Sequence, residues 1–165
     1  EGARVVVTDM YDDVVEPVTK EFNVQAVKPD DIYDVDCDVF SPCALGAIIN
    51  DETIPRLRCK IVAGAANNQL KEPRHGVMLE ERGILYAPDF VVNGGGVTNI
   101  ADEFRPGGYN RDRAYARVAR IYDILMKVFE IARQRGIPTC QAADIMAEER
   151  IGKLGGINRM YTPST

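Results

Sequence analysis

An acidic residue directly follows the first apolar run of the chain. The run covers residues 4–8, and Asp9 comes next. A carboxylate at the end of a buried strand can accept hydrogen bonds from the adenosine ribose hydroxyls of a dinucleotide, and its charge repels the 2′-phosphate of NADP. Asp is also a common turn residue and helix cap, so both interpretations of Asp9 stay open.

The glycine fingerprint that normally precedes such a carboxylate is not found before Asp9. The G-x-G-x-x-G motif lies about 20 residues upstream of the acidic residue in a dinucleotide-binding unit, whereas only eight residues precede Asp9 here. The stretch NGGG at 93–96 lacks the spacing and comes late in the chain. Either the fold is of another kind, or the first strand and its phosphate-binding loop are missing from this chain.

Three loops of small residues follow apolar runs, at 41–47, 63–68 and 93–97, and two of them contain the amides Asn67 and Asn93. The carboxyl ends of parallel strands line one crevice, where ligands bind. Small residues let a flat ring approach the backbone, and an amide both donates and accepts hydrogen bonds. Each loop alone is typical of a tight turn, but the three together favour a ligand cleft.

Short apolar runs alternate with longer amphipathic stretches along the chain. This alternation predicts an α/β domain of the Rossmann type, with a doubly wound, mostly parallel sheet and carboxyl-terminal helices. The expected strands are 4–9, 23–27, 37–40, 60–64, 84–87 and 90–93, and the expected helices are 12–22, 48–57, 110–135 and a last one capped by Thr139. Pro17 predicts that the first helix starts late or is irregular, because proline is tolerated only near the first turn.

Composition excludes several classes of protein. The 165 residues are 45% hydrophobic and 27% charged with a net charge of −5, which argues against nucleic-acid and membrane partners. The four cysteines form no CxxC pair, so we expect reduced thiols, a cytoplasmic location and no metal. The single histidine, His75, is interpreted as a solvent-exposed or loop-ordering residue, and the four arginines between 111 and 120 as a solvated helix face.

Several segments together resemble the glutamate/leucine/phenylalanine/valine dehydrogenase family. They are DVFSPCALGAIINDETIP at 38–55, IVAGAANNQLK at 61–71 and GILYAPDFVVNGGGV at 83–97. The segments GYNRDR at 108–113 and IYD at 121–123 are similar to the leucine dehydrogenase branch. The resemblance covers residues 1–155 in order, and it is more specific than any single motif.

The resemblance implies a two-domain enzyme whose cleft holds NAD and an amino acid, with this chain as the NAD-binding half. Residues 1–155 match the NAD-binding domain, and 156–165 form a tail. Asp9 matches the ribose-binding acid, while Cys43 and Ala44 match a backbone segment beside the cofactor. Asn67 matches an amide near the nicotinamide and substrate, and Asn93 is similar to the amide that opens the next loop.

The resemblance also implies a substrate and a reaction. Val97 and Ile100 fall where the family lines the pocket for the amino-acid side chain. The expected reaction is the reversible oxidative deamination of a branched-chain or other apolar L-amino acid to a 2-oxo acid and ammonium, in a homo-oligomer. Two alternatives stay open, namely an aromatic amino acid as substrate and a non-catalytic nucleotide-binding module.

Two departures from the family pattern qualify this expectation. The family has Asn-Ala-Gly-Gly where this chain has NGGG at 93–96, a difference of one methyl group. The two pocket lysines and the acid/base aspartate of the family belong to an amino-terminal domain that this chain does not match. The sequence therefore assigns no catalytic acid or base to this chain, and we expect the chain alone to be inactive.

Overall fold

Five short strands form two separate parallel sheets in the computed structural model, which describes residues 2–160. Strands β1 (Val6–Val7) and β2 (Gln25–Ala26) pair in one sheet. Strands β3 (Val39–Phe40), β4 (Ile61–Val62) and β5 (Leu85–Tyr86) form the other sheet in the order β3-β4-β5. All pairings are parallel, as expected for a chain in which strands alternate with crossover segments.

Six helices connect and follow these strands. They are α1 (Asp12–Phe22), α2 (Arg74–Glu81), α3 (Asp89–Val92), α4 (Gly95–Ile100), α5 (Arg111–Arg135) and α6 (Thr139–Met160). Helix α5 ends at Arg135, as the sequence predicted, and the following Gly136 terminates it with a left-handed φ of 62°. This mixture of parallel strands and helices is the α/β architecture of a Rossmann-type domain. Of residues 154–160 only the helical backbone is described.

The main core lies around the second sheet. Its largest fully buried side chains include Ile49, Ile54, Val62 and Leu79. A smaller cluster joins α5 to α6 through Val128, Ala132, Ala142 and Ala143. In contrast, none of the residues 2–39 is buried. The apolar free energy of folding therefore comes mainly from the second sheet and the helices behind it.

Two predicted elements were wrong. The segment 48–57 was expected to be a helix, but it holds only a 3₁₀ turn at Ile54–Arg56. The Asn50 side chain accepts hydrogen bonds from the backbone N–H groups of Glu52 and Thr53 and so holds a turn before Pro55. The apolar segment 90–93 was expected to be a strand, but residues 90–92 lie in α3 and Asn93 follows its end. Short apolar runs do not distinguish strand from helix by periodicity.

Helix boundaries also differ from the sequence prediction. Helix α1 begins at Asp12 and includes Pro17, so the late start was wrong. Thr139 is the first residue of α6, and its hydroxyl donates to the Tyr86 carbonyl over 2.6 Å, so it does not cap the helix as predicted. Helix α6 continues through Met160, into the segment 156–165 predicted as a tail. Residues 161–165 lie outside the described part of the chain.

All four cysteines are free thiols in the structure. Burial raises the pKa of the Cys37, Cys59 and Cys140 thiols, so these side chains stay protonated at neutral pH. Among residues 2–160, no helix combines the length and the apolar character needed to cross a bilayer.

Candidate functional site

Two loops at the carboxyl edge of the second sheet are joined through their backbones. The loop after β3 and the loop after β4 exchange hydrogen bonds, with the Ala66 N–H donating to the Pro42 carbonyl over 2.9 Å and the Ala47 N–H donating to the Asn68 carbonyl over 2.7 Å. A side chain at Gly64 would overlap the Pro42 backbone. The small residues seen in the sequence therefore serve close backbone approach at this edge.

The two predicted amides meet at the same edge. Asn93 Nδ2 donates to Asn67 Oδ1 over 2.6 Å and lies 3.4 Å from the Ala65 carbonyl oxygen. Asn67 is exposed and Asn93 is half-buried. Each amide keeps a hydrogen-bonding group without a partner among residues 2–160, the Asn67 amino group and the Asn93 oxygen. The pair can therefore bind a ligand that both donates and accepts, such as a carboxamide.

Buried polar residues behind this edge hold the loop in place. The Gln69 backbone N–H donates to the Asp89 carboxylate over 2.7 Å, and the Gln69 side chain donates to the carbonyls of Gly64 and Ala66 over 2.7 and 2.9 Å. The Asp89 N–H donates to the Tyr86 hydroxyl, and burial raises the pKa of that hydroxyl. Sequence reasoning missed Gln69 and Asp89, although Gln69 directly follows the two asparagines.

Cys43 and Ala44 lie in the loop after β3, and both are exposed. The Cys43 sulfur is 3.4 Å from the Ser41 hydroxyl. Because this loop is hydrogen-bonded to the loop that carries Asn67, the structure brings Cys43, Ala44, Asn67 and Asn93 to one edge. Four of the five predicted cofactor-binding residues therefore share one surface.

Asp9 lies apart from these residues, at the end of β1 in the other sheet. Its Oδ1 accepts a hydrogen bond from the Tyr11 N–H over 3.1 Å and so orders the turn into α1. Its Oδ2 makes no hydrogen bond within the described residues. The turn interpretation of Asp9 is thus observed, and one carboxylate oxygen remains available to a ligand.

Val97 and Ile100 lie on α4, which begins two residues after Asn93. Their exposed fractions are 69% and 56%, and Phe104 beyond them is 85% exposed. These large apolar side chains can line one wall of an apolar pocket whose other wall is supplied by another surface.

Two residues outside this edge differ from the sequence expectation. His75 is fully buried in α2, so its expected solvent exposure was wrong; its Nδ1 accepts from the Glu72 N–H over 2.9 Å, which is an ordering contact. Arg113 does not belong to a solvated face, because it pairs with the buried carboxylate of Asp102 over 2.7 Å. An open depression of about 240 Å³ beside Tyr86 and Cys140 is lined by none of the predicted site residues.

Parallel strands with ligand-competent loops at their carboxyl edge define a Rossmann-type α/β domain. The crystal structure of L-tryptophan dehydrogenase from Nostoc punctiforme superposes on it with a TM-score of 0.87 and 45% identity, over 91% of this chain. The model of the Glutamate/Leucine/Phenylalanine/Valine dehydrogenase family matches residues 4–155. The chain belongs to this family, which confirms the resemblance seen in the sequence.

Individual relatives are enzymes that act on different amino acids. Leucine dehydrogenase from Thermoactinomyces intermedius is 63% identical over 92% of this chain. Phenylalanine dehydrogenase from Caldalkalibacillus thermarum is 45% identical over 99% of the chain. The chain spans 41% and 45% of the lengths of these two relatives, and 45% of the tryptophan dehydrogenase chain.

Proposed function

We propose that this chain is the NAD-binding part of an amino-acid dehydrogenase. The whole protein would catalyse the reversible oxidative deamination of a branched-chain or other apolar L-amino acid to a 2-oxo acid and ammonium. The observation that carries the proposal is the Asn67–Asn93 amide pair, 2.6 Å apart where two small-residue loops meet. NAD, when bound, accepts hydride from the substrate α-carbon; this chain binds and orients the reactants.

The five proposed cofactor-binding residues contact different parts of NAD. Asp9 accepts hydrogen bonds from the adenosine ribose through its available Oδ2. Cys43 and Ala44 are both exposed and place a backbone segment beside the cofactor. Asn67 and Asn93 hold the nicotinamide carboxamide with the amino group and the oxygen that have no partner within the described residues. All five roles are compatible with the exposure of these residues.

The substrate pocket is the part of the proposal that selects the amino acid. Val97 and Ile100 supply one apolar wall, and the 63% identity to a leucine dehydrogenase supports a branched-chain substrate. The phenylalanine and tryptophan dehydrogenases at 45% identity support an aromatic amino acid as the second candidate.

Residues 1–155 form the NAD-binding domain, and a further parallel strand lies between β1 and β3 in the whole protein. The Val5 and Val7 carbonyls accept from β2, so the intervening Val6 directs its N–H and carbonyl to the other edge. The Asp38 and Phe40 carbonyls likewise accept hydrogen bonds from the β4 segment, so Val39 between them also directs its N–H and carbonyl to the other edge. One inserted strand would satisfy both edges, and the glycine-rich loop after it would bind the pyrophosphate.

The catalytic acid and base lie in the rest of the protein, which assembles as a homo-oligomer. The relatives are more than twice as long as this chain, which leaves room for a separate catalytic domain. We therefore expect no NADH formation from the 165-residue chain alone with any amino acid. The whole protein should form NADH with leucine, valine or isoleucine, and a whole protein inactive with aliphatic and aromatic amino acids alike would refute the proposal.

Cofactor choice gives a sharper test of the same proposal. In the whole protein, Asp9→Ser should erode the preference for NAD over NADP, because a charge-assisted hydrogen bond contributes roughly 1.5–3 kcal/mol. Asp13→Ser removes the same charge from an exposed position in the first turn of α1 and serves as the control. Equal use of NAD and NADP by the unsubstituted protein would contradict the role of Asp9.

A further inference from the structure

Helix α4 buries no apolar side chain. None of its six residues, Gly95–Ile100, is buried. A short helix without buried side chains is marginal in water, because its stability normally comes from packing of an apolar face. Something outside α4 must therefore hold the helix and the side chains of Val97 and Ile100.

An ion pair between a half-buried arginine and a buried carboxylate begins two residues beyond the end of α4. Asp102 is fully buried, and its carboxylate accepts hydrogen bonds from Nε and Nη2 of Arg113 over 2.7 and 2.8 Å. The Asn110 N–H donates to the same carboxylate over 2.8 Å. Arg113 also donates to the Gly108 carbonyl over 2.6 Å. Two parallel hydrogen bonds from a guanidinium fix orientation as well as distance.

These contacts fasten the segment after α4 to the first turn of α5. A second tether reaches α4 itself, since the Tyr109 hydroxyl donates to Asn99 Oδ1 over 3.0 Å. The Arg113 guanidinium holds the pKa of the Asp102 carboxyl down to about 2, so the carboxylate stays charged throughout the working pH range. We call the Asp102–Arg113 pair and the Tyr109–Asn99 bond together the α4 anchor.

We infer that the α4 anchor positions the Val97–Ile100 wall and thereby sets discrimination between amino-acid side chains. The inference rests on the proposed function and adds positioning residues to it. The anchor touches neither cofactor nor substrate, and it acts by fixing a helix that has no buried residue of its own. Side chains on a loosened α4 would no longer present one pocket shape, so discrimination would suffer more than cofactor binding at Asp9.

The test uses the whole protein with Arg113→Lys and Asp102→Asn. Lysine keeps the charge but cannot form the two parallel bonds. We expect the KM for leucine to rise about tenfold, because a small displacement of positioning groups has large kinetic effects. The ratio of kcat/KM for leucine to that for phenylalanine should change by a similar factor, while the Kd for NAD stays unchanged.

A matched control lies in the same helix. Arg135 at the end of α5 pairs with Glu149, and both side chains are about half exposed. Arg135→Lys makes the same chemical change far from α4 and should leave the leucine-to-phenylalanine ratio unchanged. Tyr109→Phe removes only the tether to Asn99 and does not disturb a buried charge, so it remains informative should the ion-pair variants not fold. We expect it to shift the ratio by a few-fold.

The outcomes separate the inference from the proposed function. A lower melting temperature with an unchanged leucine-to-phenylalanine ratio would mean that the ion pair is only structural, and this would overturn the inference. An unchanged ratio in Tyr109→Phe, when the ion-pair variants do not fold, would overturn it as well. Failure of the unsubstituted whole protein to oxidise any amino acid would overturn both the proposed function and the inference.

Discussion

The two sheets of this chain differ in burial. The β3-β4-β5 sheet is surrounded by a core that includes Ile49, Val62 and Leu79. The β1-β2 sheet and α1 contain no buried residue. Apolar side chains in and next to these elements are instead exposed, including those of Val5, Met10, Tyr11, Val14 and Phe22. Apolar patterning alone therefore does not complete a core, since a strand–helix unit also needs a surface to cover it.

The difference also concerns the backbone. Val6 and Val39 each direct their hydrogen-bonding groups to an edge that carries no strand among the described residues. An open edge is a template for another strand. The first region, formed by β1, α1 and β2, therefore needs a covering surface from outside itself. The second region, around the β3-β4-β5 sheet, has its own core. This difference supports the proposed inserted strand.

The largest expected difference between the two regions is in how much a substitution lowers the free energy of unfolding. Leu79→Ala in the second region should lower the free energy of unfolding of the chain by about 2–5 kcal/mol, as a fully buried leucine leaves a cavity. Phe22→Ala in the first region should change it by no more than about 0.5 kcal/mol, because Phe22 is 63% exposed. Urea denaturation measures both. Equal losses would mean that the two regions do not differ in packing.

A smaller effect is expected on substrate choice. Val97→Ala or Ile100→Ala in the whole protein should favour bulkier side chains over valine by about 1–3 kcal/mol in relative kcat/KM. Val14→Ala shortens an exposed apolar side chain in the first region and is the matched control. Steady-state kinetics with valine, leucine and phenylalanine give the comparison. A substrate profile that neither pocket substitution changes would show that α4 does not face the substrate.

The smallest expected effect is a loss of stability at acidic pH, and it arises in the second region. Hydrogen bonding to Arg74 lowers the pKa of Asp51 to about 2. A lowered pKa in the folded state stabilises the fold above the ordinary carboxyl pKa of about 4, and this stabilisation is lost as pH falls toward the folded pKa. Stability should therefore decline between these two values.

Substitution of Asp51 isolates this contribution. Asp51→Asn should reduce stability at neutral pH and make its decline below pH of about 4 shallower. The effect is small because both partners of the ion pair are about half exposed. Asp13→Asn in the first region is the control, since Asp13 forms no ion pair within residues 2–160. Urea titrations at several pH values would contradict the account if both variants showed the same pH profile.

Much of the fold could be predicted because local patterns determine it. The five strands lie within predicted segments, although each is shorter, and α5 ends at Arg135 as expected. The failures at 48–57 and 90–93 have a common cause. Each segment contains or follows a proline, and polar contacts hold its backbone: the Asn50 side chain accepts from the Thr53 N–H, and the buried Asp89 carboxylate accepts from the Gln69 N–H. Neither contact is a periodic signal.

The candidate site was predictable where residues lie at strand ends. Asn67 and Asn93 were expected at one edge, and the structure brings them within 2.6 Å, while their binding of NAD stays a prediction. The Asp102–Arg113 pair was not foreseen, because arginines spaced along a helix have the same pattern whether they are solvated or bound to a buried carboxylate. Tertiary contacts between residues 11 positions apart carry no such sequence signature.

A strand inserted between β1 and β3 would complete the first region of the whole protein, and amide hydrogen exchange would detect it. The Val6 and Val39 amides should exchange as slowly as that of Ile61, which donates to the Asp38 carbonyl within the second sheet. Exchange at Val6 and Val39 as fast as at Gly107, in an exposed turn, would contradict the account.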